Sequence, residues 1–412
     1  MKKKLGLVLA SFILLTACAP NFGDQEEQIV QETEDDSKEQ AIIPKYNISD
    51  SYYKTILNTD KKAGESSYKP GAARGHVAEG ISTRLDIDEF ETGLMRVAQD
   101  TFSPDTYLFQ EGQYLTSEVI SSWLKRKLTG KAAQDAQAAA AKKDKNTTGN
   151  DEKYVEVGLN PALPDMDDLE KANNQSPIYL AQILEHNYLI KNEDNSVQLG
   201  GVVIGLAMNS KYYFKQEEGF ERYKDIDRDT LLKEGKVMAD TILKRIRSTK
   251  GLEKVPVVFA IYELEDKSSL VPGNYIAKSV VKEGNNSLGG WDTVDEDYVL
   301  FPSDEGTEKY RDDAQRFNSF KTDVEEFFPN YTGVIGKAFY KNGEMNYLDI
   351  EIPMQFYSKG EVIAFTQFIT GKVMESFPDY ISLEVNITSN NGQEALIIKE
   401  PKQEEPTVHI YK

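Results

Sequence analysis

The chain has 412 residues, 39% of them hydrophobic, with 22 Tyr and 18 Phe. That is too much apolar material for a disordered protein and more than one ordinary core holds. Its 68 acidic residues outnumber 48 Lys and Arg, for a formal charge of −20, so its surface repels nucleic acid and anionic lipid headgroups. The only cysteine, Cys18, excludes disulfides within the chain and, once modified, thiolate catalysis and cysteine-ligated metals.

Met1 is followed by Lys2, Lys3 and Lys4, and then by an apolar run over residues 5–17. A positive start, a short apolar middle and small residues before a break describe a secretory signal peptide. The 13-residue run is too short for a membrane span, which needs roughly 20 residues. Leu15-Thr16-Ala17-Cys18 resembles the lipobox of bacterial lipoproteins. That resemblance implies a diacylglyceryl group on the Cys18 sulfur, palmitate-type acylation, and cleavage between Ala17 and Cys18 by a signal peptidase after a lipid transferase has acted. It places the protein on the outer face of the cell membrane, held by lipid and by no basic patch.

Residues 18–70 are polar and, over residues 24–40, strongly acidic, the composition of a flexible tether. Order is expected from residue 71. Phe90, Leu94, Val97, Ala98 and Phe102 share one helical face, with Asp86 or Asp88 as cap. Residues 107–115 read as an aromatic hairpin turning at Glu111-Gly112, and 116–128 as a second amphipathic helix. Residues 131–153, Ala-rich and then Lys- and Asn-rich, read as an exposed excursion. Residues 176–189 are expected to form a helix with Pro177 in its first turn.

Residues 200–208 read as a strand buried on both faces. Leu231, Met238, Ile242 and Ile246 then define a long helix ending in Lys244, Arg245 and Arg247 before Gly251. Strands at 255–262 and 275–281 precede a long loop over 282–297. A helix through Phe317 and Val324 is stopped by Pro329. Two strands flank Lys341-Asn342-Gly343-Glu344, a type I′ turn. Pro353 marks an edge or a bulge. A helix through Phe365 and Ile369, and the alternation of Ile381, Leu383, Val385 and Ile387, complete an antiparallel sheet with helices on one side.

The fold class is therefore α+β: antiparallel sheets with helices packed on one side, in a roll-like, two-lobed body divided into residues 71–300 and 301–412. Strand, long helix and strand recur at 200–262 and 347–388, as an internal duplication would leave them.

Few residues carry chemistry. His76, His186 and His409 lack metal-ligand spacing, and no phosphate loop or Gly-x-Ser-x-Gly elbow is present. Asp225, Asp227 and Asp229 alternate as a calcium loop begins, but Thr230 stands where glycine is needed and Lys236 where a glutamate should chelate, so they read as helix caps. Asp165, Asp167, Asp168 and Glu170 fail the same test. Tyr212, Tyr213 and Phe214, like Trp291, read either as a sugar or peptide contact or as packing under a loop. No catalytic residue, metal or cofactor is expected.

Several strings resemble the CamS family of sex-pheromone precursor lipoproteins of Gram-positive bacteria: residues 107–113 (YLFQEGQ), 158–161 (GLNP), 205–210 (GLAMNS), 259–262 (FAIY), 272–273 (PG) and 408–411 (VHIY). The resemblance implies an α+β roll with no established biochemical role. It also implies that the signal tail is trimmed to a hydrophobic peptide that triggers mating responses in cells carrying conjugative plasmids. Here that tail is Ser11, Phe12, Ile13, Leu14, Leu15, Thr16 and Ala17. The family's peptide pattern, Ala-Ile-Phe-Ile-Leu and two small residues, compares with Ala10-Ser11-Phe12-Ile13-Leu14, set one place further from the cysteine and followed by Leu15. The expected function is an extracytoplasmic lipoprotein of this type, not an enzyme, whose body binds or scaffolds a cell-envelope ligand. A cell-wall-directed enzyme and a solute-binding lipoprotein are the alternatives.

Overall fold

The structure, a computed structural model, describes residues 26–32, 38–44, 48, 52–59, 67–130, 133, 135, 157–215, 219–327 and 333–412. The leader, Cys18 and most of the Ala-rich excursion lie outside the described residues. The chain opens with β1 (Glu26–Glu32), β2 (Lys38–Pro44) and the short β3 (Leu57–Asn58). Helices α1 (Val77–Gly80) and α2 (Arg84–Ala98) lead to β4 (Tyr107–Glu111), α3 (Ser117–Leu124) and α4 (Leu169–Gln175). Then come β5 (Leu180–Lys191), β6 (Ser196–Asn209) and a hairpin, β7 (Lys211–Lys215) and β8 (Glu221–Asp225). The long α5 (Arg228–Ile246) is followed by β9 (Val257–Leu264), β10 (Asn274–Val281) and β11 (Trp291–Thr293).

The second half holds β12 (Glu296–Phe301), α6 (Asp304–Lys309), α7 (Arg311–Phe327), β13 (Ile335–Lys341) and β14 (Glu344–Pro353). It ends with α8 (Lys359–Ser376), β15 (Ser382–Ser389), β16 (Gly392–Lys399) and β17 (Thr407–Ile410).

The two main sheets repeat one topology. Six strands of the nine-stranded first sheet run β4-β5-β6-β9-β10-β11, with β1, β2 and β3 joined to it where β1 pairs parallel with the start of β6, and the second sheet runs β12-β13-β14-β15-β16-β17. In both, the third and fourth strands are parallel and every other neighbouring pair is antiparallel. In both, the parallel pair is joined by the long helix, α5 or α8, because parallel strands need a crossover. The recurrence of strand, helix and strand read in the sequence is this shared crossover.

The sheets are therefore mixed, and the expectation of antiparallel sheets is corrected at their centres. Helices on one side is also too simple. In the first lobe Val202, Ile204 and Leu206 pack under α5, while Val203 and Ala207 face α2, so both faces are covered. In the second lobe α7 and α8 close the single core around Leu348, Ile350, Leu383 and Val385.

Other readings change locally. Residues 176–189 do not form a helix: β5 lies between β4 and β6, with most of its side chains buried, and ladder pairing overrides a run of helix-forming Leu, Ala, Gln and Glu. Residues 107–115 hold one strand and a turn. Pro353 is the last residue of a central strand, where the missing donor costs nothing further along. The loop over 282–297 contains β11, and β12 starts the second sheet ahead of residue 301. Within the presumed tether, β1 pairs with β2 and touches β6 at Val30–Ser196, burying Ile29 and Ala41. Helix α2 starts a turn earlier than expected, its Thr83 Oγ1 accepting from Asp86 N at 3.0 Å. The type I′ turn is as read, with φ of 54° at Asn342 and 77° at Gly343.

Candidate functional site

The densest polar geometry gathers around the end of β4. Glu111 there accepts from Tyr68 Oη at 2.6 Å and from Gly71 N at 2.5 Å, tying the 68–76 loop to the sheet. A Cβ on Gly71 would sit 2.7 Å from Glu111 Oε2, so a larger residue there would push the carboxylate aside. The chain then turns at Gly112, where a Cβ would lie 2.5 Å from Glu185 Cβ. The turn aims three successive amides at the buried Glu185 carboxylate on β5: Gln113 N at 3.0 Å, Tyr114 N at 3.2 Å and Leu115 N at 2.6 Å. Such a nest of backbone N–H groups holds an anion.

Above this turn lies a cavity of about 300 Å³ between α2, the 68–76 loop and the β4–β5 strands. Glu91 and Met95 of α2, Phe109 and Glu111 of β4, Tyr68 and Arg74 line it. His186, 3% exposed and edge-on to Phe109 at 4.9 Å, also lines it. Burial pushes the His186 imidazole down to about 3, so it is neutral, and its Nδ1 has no hydrogen-bond partner among the described residues. Burial, and then Asp88 and Glu111, push the Glu91 carboxyl up.

His76 also lines the cavity, and its Nε2 lies 2.7 Å from Ser121 Oγ, the spacing of a nucleophile and its base. The proton is on the wrong side for that. Gln182 Oε1 accepts from Ile183 N at 2.9 Å and its Nε2 donates to His76 O at 2.7 Å, which fixes the amide. That Nε2 also faces His76 Nδ1 at 3.1 Å, so Nδ1 accepts and Nε2 carries the hydrogen donated to Ser121. His76 therefore cannot take the Ser121 proton.

A second polar cluster joins the lobes. Arg96 of α2 makes a two-pronged contact with Glu296 of β12 at 2.9 and 2.8 Å and also bonds Glu89. Tyr298 Oη donates to Glu89 at 2.6 Å, and the Arg96 guanidinium lies 4.4 Å from the Phe339 ring centroid. Burial opposes the Arg96 charge, but Glu89 and Glu296 hold it well above the usual range.

Residues 68–405 match the family described as CamS sex pheromone cAM373 precursor. The chain belongs to the CamS family. The crystal structure at 1.35 Å of a sex pheromone precursor from Lactobacillus salivarius subsp. salivarius UCC118 is 27% identical, covers 89% of this chain and 98% of its own, and superposes with a TM-score of 0.73. The C-terminal domain of the sex pheromone staph-cAM373 precursor from Staphylococcus aureus is 29% identical over 81% of this chain and 98% of its own, with a TM-score of 0.66. Among curated proteins none matches this chain. Among the described residues of this CamS member, no helix is long and apolar enough to cross a membrane.

Ser11, Phe12, Ile13, Leu14, Leu15, Thr16, Ala17 and Cys18 lie outside the described residues. Of the other residues singled out, Asp227 caps α5, accepting from Thr230 N at 2.9 Å. Tyr212 stacks on Phe214 at 5.6 Å and bonds Asn173, while Tyr213 donates to Asp266 at 2.9 Å, so these aromatics pack within the hairpin region. Trp291 sits in β11 with Lys236 over its ring at 5.7 Å. His409 is in the edge strand β17, against Tyr411. Of the residues that meet at the cavity, Arg74, Glu91 and Glu185 carry no signal in the sequence, and Glu111 is read there only as a turn residue. Its one signal is the acid-glycine step Glu111-Gly112, within the string shared with the family.

Proposed function

We propose that this CamS member is an extracytoplasmic lipoprotein, held at the outer face of the cell membrane by lipid on Cys18. A lipid transferase and a signal peptidase process it, cutting between Ala17 and Cys18. The discarded tail, Ser11 to Ala17, is released as a hydrophobic peptide signal for plasmid conjugation. Support comes from the coincidence of a lipobox-like ending at Cys18 with a family whose members of known structure are sex pheromone precursors.

The mature body acts as a binding or scaffolding module for a cell-envelope ligand and catalyses no reaction. The proton position on His76 supports that reading, because its contact with Ser121, the serine–histidine pair found among the described residues, lacks a base. Mass spectrometry of spent medium tests peptide release, with a Cys18→Ser strain as control. A discrete fragment of residues 10–17 that disappears in the mutant is the expected result. Its absence while Cys18 is demonstrably lipidated would reduce the leader to an address.

A further inference from the structure

We infer that the cavity between α2, β4 and the 68–76 loop takes a free amino acid with an apolar side chain, its ammonium at Glu91 and its carboxylate at Arg74. This deepens the reading of the body as a binding module and rests on it.

Each charged group around the cavity has a partner except two. Asp88 is held by Arg84 at 2.7 Å, and Glu111 is occupied by Tyr68 and Gly71. Glu185 is satisfied by its three amides. Glu91, half-buried, has no ion pair or hydrogen bond among the described residues, although its neighbours Asp88 and Glu111 are both acids. Its charge is disfavoured by burial and by like charges, which Arg84 offsets only in part, so a cation bound in the cavity would relieve it. Arg74, exposed at the rim, likewise has no carboxylate partner among the described residues.

One unpaired carboxylate and one unpaired guanidinium lining a single cavity complement a zwitterion, with the guanidinium fork suited to a carboxylate. Phe109 and Met95 add apolar lining to the same cavity. The neutral His186 adds no competing charge. A volume of about 300 Å³ is at the small end of ligand sites and suits one amino acid, not an oligosaccharide.

Isothermal titration of the purified full chain with L-leucine, N-acetyl-L-leucine and L-leucinamide tests the assignment. Leucine is expected to bind, and both N-acetylation and Glu91→Gln to weaken it at least tenfold. Arg74→Gln should weaken leucine but leave leucinamide unchanged, a pattern that loss of folding would not produce. Equal binding of leucine and its N-acetyl form, or wild-type affinity in Glu91→Gln, overturns the inference. Silence from all three probes overturns it too, and sedimentation with purified cell walls then separates the cases. Co-sedimentation leaves the body a binding module with a different ligand, whereas failure of both removes the wider reading as well.

Discussion

Arg96 in α2 and Glu296 in β12 face each other across the boundary between the two sheets, joined by two hydrogen bonds of 2.9 and 2.8 Å. The Glu296 side chain is 1% exposed, and Glu89 behind it is 7% exposed, so two buried carboxylates depend on one cation. Arg96→Met should destabilise the chain by on the order of 3–5 kcal/mol, because it leaves buried charge unpaired. Adding Glu296→Gln should recover part of that loss. Urea unfolding of the single and double variants measures both, and a wild-type midpoint for Arg96→Met would show that the lobes are held by other contacts.

The Glu111-Gly112 turn should tolerate no side chain. Gly112→Ala places a methyl 2.5 Å from Glu185 Cβ and 2.6 Å from its carbonyl oxygen, a clash with backbone that cannot swing away. The expected cost is about 1–3 kcal/mol, read as a lower urea midpoint. Amide exchange at residues 113–115 should quicken in the same variant, since those N–H groups lose their acceptor. Exchange at wild-type rates would mean the carboxylate had followed the turn.

His186 gives a signed pH dependence. Its folded value is about 3 and its ordinary value 6.5. Between those limits the unfolded chain binds a proton that the folded chain refuses, so stability falls as pH drops through that window. The loss is at most about 1.4 kcal/mol per pH unit from this group. His186→Phe keeps the ring, removes the titration, and should flatten the decline below pH 6.5 relative to wild type. Unfolding midpoints at pH 7 and pH 5 compare the two chains, and parallel declines would contradict the assignment.

At the β13–β14 hairpin, Gly343 has φ 77°. Gly343→Ala puts a Cβ in the left-handed region and should cost about 1–2 kcal/mol. Asn342→Ala, at φ 54°, should cost less than Gly343→Pro, which cannot adopt a positive φ at all. Thermal unfolding ranks the three.

The second sheet was legible because its strands keep one face in the core: Leu383, Val385 and Ile387 are buried and their neighbours are not. Strand β5 was not, since a strand covered on both faces shows no alternation and its Leu, Gln and Glu are good helix formers. The parallel centres escaped as well, because residue patterns give strand and helix but not the direction in which a returning strand pairs. The cavity was hidden for another reason. Glu91 and Glu111 are two of 68 acids, and only the packing of α2 on the face of the sheet that holds β4 makes them neighbours.

Strand β1 begins at Glu26. With Cys18 as the proposed anchor, only residues 19–25 separate the lipid from the sheet, and even at about 3.3–3.6 Å each they reach roughly 25 Å. The standoff from the bilayer is then at most about the thickness of the bilayer's own hydrocarbon layer. A body leashed by fifty residues could sample the depth of a cell wall. One docked through β1 patrols the lipid surface.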